Sequence, residues 1–134
     1  MAASSLTFLV PGRLDTRTGG YEYDRRLIAG ARERGWTVEV RELDDSFPRP
    51  TPVALDGAAR VLAAIPAGAT VVIDGLAFGA MPAEAEREAS RLRLVALVHM
   101  PLSSEIGLEP QAAARFEQSE RRALAAAALV IVTG

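Results

Sequence analysis

The 134 residues carry 15 basic and 17 acidic side chains for a formal charge of -2, and 49% are hydrophobic, which suits one folded domain with a real core and excludes a disordered or fibrous chain. The basic residues, all arginine, are spread along the chain and form no stripe that would neutralise a phosphate backbone, so nucleic acid is not an expected partner. With no cysteine and a single histidine, His99, the chain has no disulfide framework, thiolate nucleophile or multi-histidine site, and no metal is expected.

Taken from the N-terminus, MAASSL lacks the basic and apolar regions of a secretion signal, and the apolar run LTFLV at Leu6–Val10 reads as the first strand. A long loop, PGRLDTRTGG, leads to a helix in which Tyr23, Leu27, Ile28 and Ala31 share the inward face and Gly35 ends the helix. TVEVREL at Thr37–Leu43 alternates and so belongs near a sheet edge. After the proline-spaced loop FPRPTP, Thr51 and Pro52 start a second helix with Ala54, Ala58, Val61, Leu62 and Ile65 on one stripe.

Strands at Ala69–Ile73, Leu92–Val98 and Leu129–Thr133 bracket helices at Pro82–Ser90 and Pro110–Ala127, the latter with Ala113, Phe116, Ala123, Leu124 and Ala127 inward. Its Glu120 falls on or beside that stripe, where a carboxylate needs a structural partner. The alanine-rich run that ends the chain is too short for a membrane span. Strand and helix alternate throughout, which specifies an α/β, Rossmann-like, doubly wound parallel sheet of about five strands with helices on both faces. The expected strand order is 3-2-1-4-5.

In such a sheet ligands bind beyond the carboxyl ends of the central strands, so the loops after Val10, Ile73 and Val98 are the candidates. The first carries Arg13, Asp15, Arg17, Gly19 and Gly20. The glycines would bring helix-terminal amides close to an anion, or form a plain turn; the spacing is neither a dinucleotide fingerprint nor a P-loop. Asp74, followed by Gly75, reads first as a turn residue and second as a carboxylate for hydroxyls. His99 sits at a strand end, where an imidazole acts as hydrogen-bond partner or base to a substrate, or ties down the loop after it. Glu105 in HMPLSSE is open between ligand contact and solvated loop.

The segment from LTFLVPGRLDTRTGGYEYDRR to WTVEVREL, the block LVALVHMPLSSEIGL, and SERRALAAA followed by LVIVTG stand in an order and spacing that resemble the N-terminal domain of retaining GT-B-fold glycosyltransferases of the family 4 type. The resemblance covers almost the whole chain. It implies residues 1–134 as the acceptor-side half of a two-domain enzyme that transfers a sugar from a nucleotide-sugar donor to a sugar, lipid or small-molecule acceptor, with retention. By position, Gly19 and Gly20 would be the donor diphosphate loop and His99 the active-site histidine, with Arg13, Asp74 and Glu105 on the acceptor side or in support.

The resemblance further implies that the donor-binding C-terminal domain, with its basic residues and paired glutamates, is missing after Gly134. The chain alone is then expected to be a truncated, inactive form that self-associates through its uncovered face. The full enzyme would be cytoplasmic or peripheral at the inner membrane face, and its nucleotide-sugar is a substrate, so no cofactor is expected. Two other readings stand beside this one: a dinucleotide-binding Rossmann module of an oxidoreductase, for which Glu42-Leu43-Asp44 supplies only a generic ribose acid, and a non-enzymatic flavodoxin-like binding domain.

Overall fold

The computed structural model describes residues 4–133. Strands β1 (Ser5–Pro11), β2 (Thr37–Leu43), β3 (Thr70–Asp74), β4 (Arg93–Val98) and β5 (Leu129–Val132) form one all-parallel sheet, and helices α1 (Gly19–Glu33), α2 (Pro52–Ala64), α3 (Gly75–Phe78), α4 (Pro82–Glu88) and α5 (Pro110–Ala125) connect them. The α/β, doubly wound class is as the sequence indicates.

The strand order is 2-1-3-4-5, not 3-2-1-4-5. After β2 the chain crosses back over β1 through α2 and lays β3 on the far side of β1, pairing Thr7 with Val71 and Leu9 with Ile73. Burial explains why. Val71, Val72, Ile73 and Asp74 are all buried and demand cover on both faces, whereas β2 alternates and tolerates an edge. The order reverses between β1 and β3, which makes their carboxyl ends the switch point of the sheet.

The two faces have separate cores. Helix α1 covers one, where Tyr21 and Ile28 pack on Phe8, Val10, Val72, Val95 and Leu97. Helices α2, α4 and α5 cover the other, where Ala58, Leu62, Ala85 and Ala123 meet Leu9, Val71, Ile73, Leu94 and Ala96. The inward stripe of α1 is Tyr21, Asp24 and Ile28, whereas the expected Tyr23 and Leu27 are exposed. The expected stripe followed hydrophobicity alone, and the observed one turns a carboxylate inward.

Local chemistry sets the helix ends. Thr51 Oγ1 accepts the Ala54 amide at 3.1 Å, with Pro52 in the first turn of α2. At the other end of α2, Arg91 donates to the carbonyls of Leu62, which also accepts the Ile65 amide, and of Ile65, bracing the helix end. Leu62 has no exposed surface and lies in α2, away from the strand ends that carry the candidate loops. Leu62→Ala is expected to cost about 2–5 kcal/mol in urea unfolding, and a loss under about 1 kcal/mol would show that this core is loosely packed.

Strand β5 closes the sheet at an open edge, with Leu129, Val130 and Val132 exposed. Among the described residues no helix is long and apolar enough to cross a membrane.

Candidate functional site

A cleft of about 410 Å³ opens over the carboxyl ends of β1, β3 and β4. Gly20 and Tyr21 at the start of α1 form one wall, Asp74 to Leu76 the floor, and His99 to Leu102 with Glu105 the opposite wall. Gly19 and Gly20 are the first two residues of α1. Thr18 Oγ1 caps the helix by accepting the Tyr21 amide at 3.2 Å, and helical geometry gives the Gly19 and Gly20 amides no acceptor within the helix. Tyr21 Oη donates to the Pro11 carbonyl, tying the helix start to the end of β1.

Gly20 is required by its neighbour. A Cβ there would stand 3.0 Å from His99 Cδ2 and 3.4 Å from Cγ. Absence of a side chain lets the imidazole lie directly on the first turn of α1, so Gly20 and His99, which are far apart in sequence, share one cleft, whereas Gly19 does not line it. Gly75 is tight for a different reason, its Cβ position being 3.0 Å from the Leu97 carbonyl oxygen, which presses the floor against β4.

Beneath the imidazole sit two acids. Asp24 from α1 and Asp74 from the end of β3 are both fully buried. His99 Nε2 lies 2.9 Å from Asp24 Oδ1 and 3.4 Å from Asp74 Oδ2, and Nδ1 lies 3.0 Å from Thr133 Oγ1. Both ring nitrogens are thus engaged inside the protein, and a ring carbon faces Gly20. The Tyr23 ring meets the imidazole edge-on with centroids 5.6 Å apart. Asp74 Oδ1 also accepts the Leu76 amide at 2.9 Å and caps α3, so it is both the turn residue its Asp-Gly pair suggests and part of the charged cluster.

The acids divide their roles. Burial, and then the neighbouring Asp74, push the Asp24 carboxyl up to about 8. Burial also acts on Asp74, but hydrogen bonds from His99, Asp24 and the Leu76 amide outweigh it and hold that carboxyl below its usual value. The Asp74 hydrogen bond, opposed by burial and helped by Asp24, raises the His99 imidazolium. At neutral pH Asp24 therefore holds a proton and Asp74 is ionised, while the imidazole is shifted toward its charged form. Burial, with the charges of Asp74 and Asp24 behind it, also pushes the Tyr21 phenol up to about 12 and keeps it neutral.

The remaining candidates lie outside this cluster. Arg13 pairs with Asp15 at 2.8 Å in a separate, exposed depression with Arg25 and Glu42, so it does not line the cleft. Glu105 is on the cleft wall but pairs with Arg49, whose guanidinium stacks on Phe116 at 5.4 Å from the ring centroid. That links the FPRP loop to the HMPLSSE loop. Glu120 is buried and accepts the Leu102 amide at 3.4 Å, supporting the same loop as a structural partner; burial raises its carboxyl, partly offset by that amide.

Asp24 is the residue that reading the sequence for apolar periodicity misses. The signal for it is the Tyr21, Asp24, Ile28 spacing, a helical stripe with one acid in it. Asp24, Asp74 and His99 each offer a donor atom within 4.8 Å of the others, so a proton or a cation can be held among them. No protein-family model, curated protein or solved structure matches the chain.

Proposed function

We propose that this chain is the N-terminal, acceptor-side half of a retaining nucleotide-sugar glycosyltransferase of the GT-B type. The observation that carries the reading is the contact of Gly20 with His99 at the switch point of the sheet: the two motifs that resemble the family's diphosphate loop and active-site histidine meet in one cleft. The amides of Gly19 and Gly20 face the leaving diphosphate, where helix-terminal N–H dipoles stabilise the charge that develops as the glycosidic bond breaks.

His99 acts here as a fixed wall of the cleft rather than as a base, because Asp24 and Thr133 already engage its nitrogens. Neither Asp24 nor Asp74 is free to attack an anomeric carbon, since both are buried and held in the cluster. A binding module has no such need for a buried, charged triad beneath its cleft, which favours an enzyme over a flavodoxin-like binding domain.

The donor nucleotide and sugar are bound chiefly by a C-terminal domain in the same polypeptide. Transfer of radiolabelled sugar from a panel of nucleotide-sugars tests this. A polypeptide in which the chain is followed by such a domain is expected to transfer sugar with retained anomeric configuration, and the 134-residue chain alone is expected to be inactive. Comparable transfer by the chain alone would remove the half-site reading.

A further inference from the structure

We propose that Asp24, Asp74 and His99 form a zinc-binding site. One donor comes from α1, one from the end of β3 and one from the residue after β4, so the site would tie the three elements that make the cleft. Nε2 of His99 stands 2.9 Å from Asp24 Oδ1 and 3.4 Å from Asp74 Oδ2. Tetrahedral zinc with bonds of about 2.0–2.1 Å sets its donors about 3.3 Å apart, a spacing that the two histidine–carboxylate distances bracket, and all three donors lie within 4.8 Å of one another.

The buried oxygens supply an independent indication. Asp24 Oδ2 and Asp74 Oδ2 are both out of solvent and neither makes a well-formed hydrogen bond, Asp74 Oδ2 having only His99 Nε2 at 3.4 Å, although the other oxygen of each is engaged, with His99 and with the Leu76 amide respectively. Burying two such atoms is unfavourable unless a proton or a cation lies between them. Binding would displace the Asp24 proton, and the two carboxylates with a neutral imidazole would then carry a charge that a divalent ion cancels.

Donor identity selects zinc over magnesium or calcium. One imidazole with two carboxylates is a compact mixed set, whereas magnesium and calcium are held by six or more oxygens. An outer layer is also present: Thr133 Oγ1 lies 3.0 Å from His99 Nδ1 and fixes the ring with Nε2 toward the acids, and the Leu76 amide fixes Asp74. Three protein donors are the number found in open zinc sites. Asp74 and His99 line the cleft, so the class of ligand the ion would take is an oxygen donor, a hydroxyl or a phosphate. The site stands independently of the sugar-transfer reading.

The test is calorimetric titration of the chelator-stripped chain with a zinc salt, with cobalt(II) as a spectroscopic substitute. Expected are saturable uptake of one equivalent and the visible bands of tetrahedral cobalt. Asp24→Asn keeps the side-chain shape, and it and His99→Ala should each weaken binding by more than about tenfold, the loss usual even for outer-layer changes. Asp56→Asn, at an exposed Arg60 pair on α2, should bind as the parent does. Thermal melts confirm which variants fold, and Asp24→Asn decides the matter if His99→Ala does not. No saturable uptake by the parent, or unchanged uptake by folded Asp24→Asn, overturns the proposal.

Discussion

On the proposed glycosyltransferase reading, Gly20→Val is expected to abolish sugar transfer by the chain joined to a donor-binding domain while leaving a folded domain. The first added carbon would already stand 3.0 Å from His99 Cδ2, tighter than a carbon–carbon contact tolerates, and the branched methyls extend further. The imidazole cannot retreat cheaply. It is held at Nδ1 by Thr133 and at Nε2 by Asp24, and Tyr23 stands at its edge. The first turn of α1 must therefore move, and with it the amides proposed to face the diphosphate. Loss of one oxyanion donor costs about 10²–10³ in turnover; two misplaced amides should cost at least that. Gly19→Ala is the internal control, because nothing lies within 4 Å of its Cβ position. Equal turnover in parent and Gly20→Val would remove the loop from the mechanism.

The second large effect concerns pH and Asp24. In the unfolded chain this carboxyl titrates near 3.8, and in the folded protein near 8, so between those values the native state binds the extra proton. Its contribution to stability is complete below pH 3.8 and is lost as the pH rises through about 8. His99, raised above its ordinary 6.5, acts in the same direction: its contribution is full below pH 6.5 and falls away as the pH rises through the folded value. Asp74 acts oppositely, its contribution being present above 3.8 and lost as the pH falls through its depressed value.

Stability should therefore decline from about pH 5 to pH 8, at up to about 1.4 kcal/mol per pH unit from Asp24. Asp24→Asn should flatten this slope. Its amide can donate to Asp74 and accept from His99 as the neutral acid does, and it cannot ionise. Urea unfolding of both proteins across this range, with a chelator present, reads the effect. An unchanged slope in Asp24→Asn would show that the extra proton does not reside on this carboxyl.

Much of the fold was legible because apolar runs and helix caps are local. Val71 to Ile73 read as a buried strand, and Thr51-Pro52 as a helix start, from short stretches of sequence. Strand order was not legible in this way. Nothing near Thr70 says on which side of β1 the strand will land; that depends on the crossover through α2 and on which strands need cover on both faces. Among site residues, His99 and the glycine pair were visible through their positions after a strand and before a helix. Asp24 was hidden, because an acid on an amphipathic helix is ordinarily placed outward, and its burial depends on His99 and Asp74 arriving from strands more than 40 residues away. The exposed Arg13 shows the opposite limit: a charged residue in a candidate loop can satisfy itself with a neighbour two residues on and take no part in the cleft.

The central claim is that the Gly19–Gly20 turn and His99 together face a nucleotide-sugar's diphosphate. Amide chemical-shift mapping of the ¹⁵N-labelled chain against a panel of nucleotide-sugars, with NAD as comparison, tests it most directly. The prediction is a shared set of perturbed amides for the nucleotide-sugars, centred on Gly19, Gly20, Tyr21, Gly75 and His99, and smaller effects from NAD. Unmoved amides at all five positions across the panel, or a response to NAD alone, would contradict it.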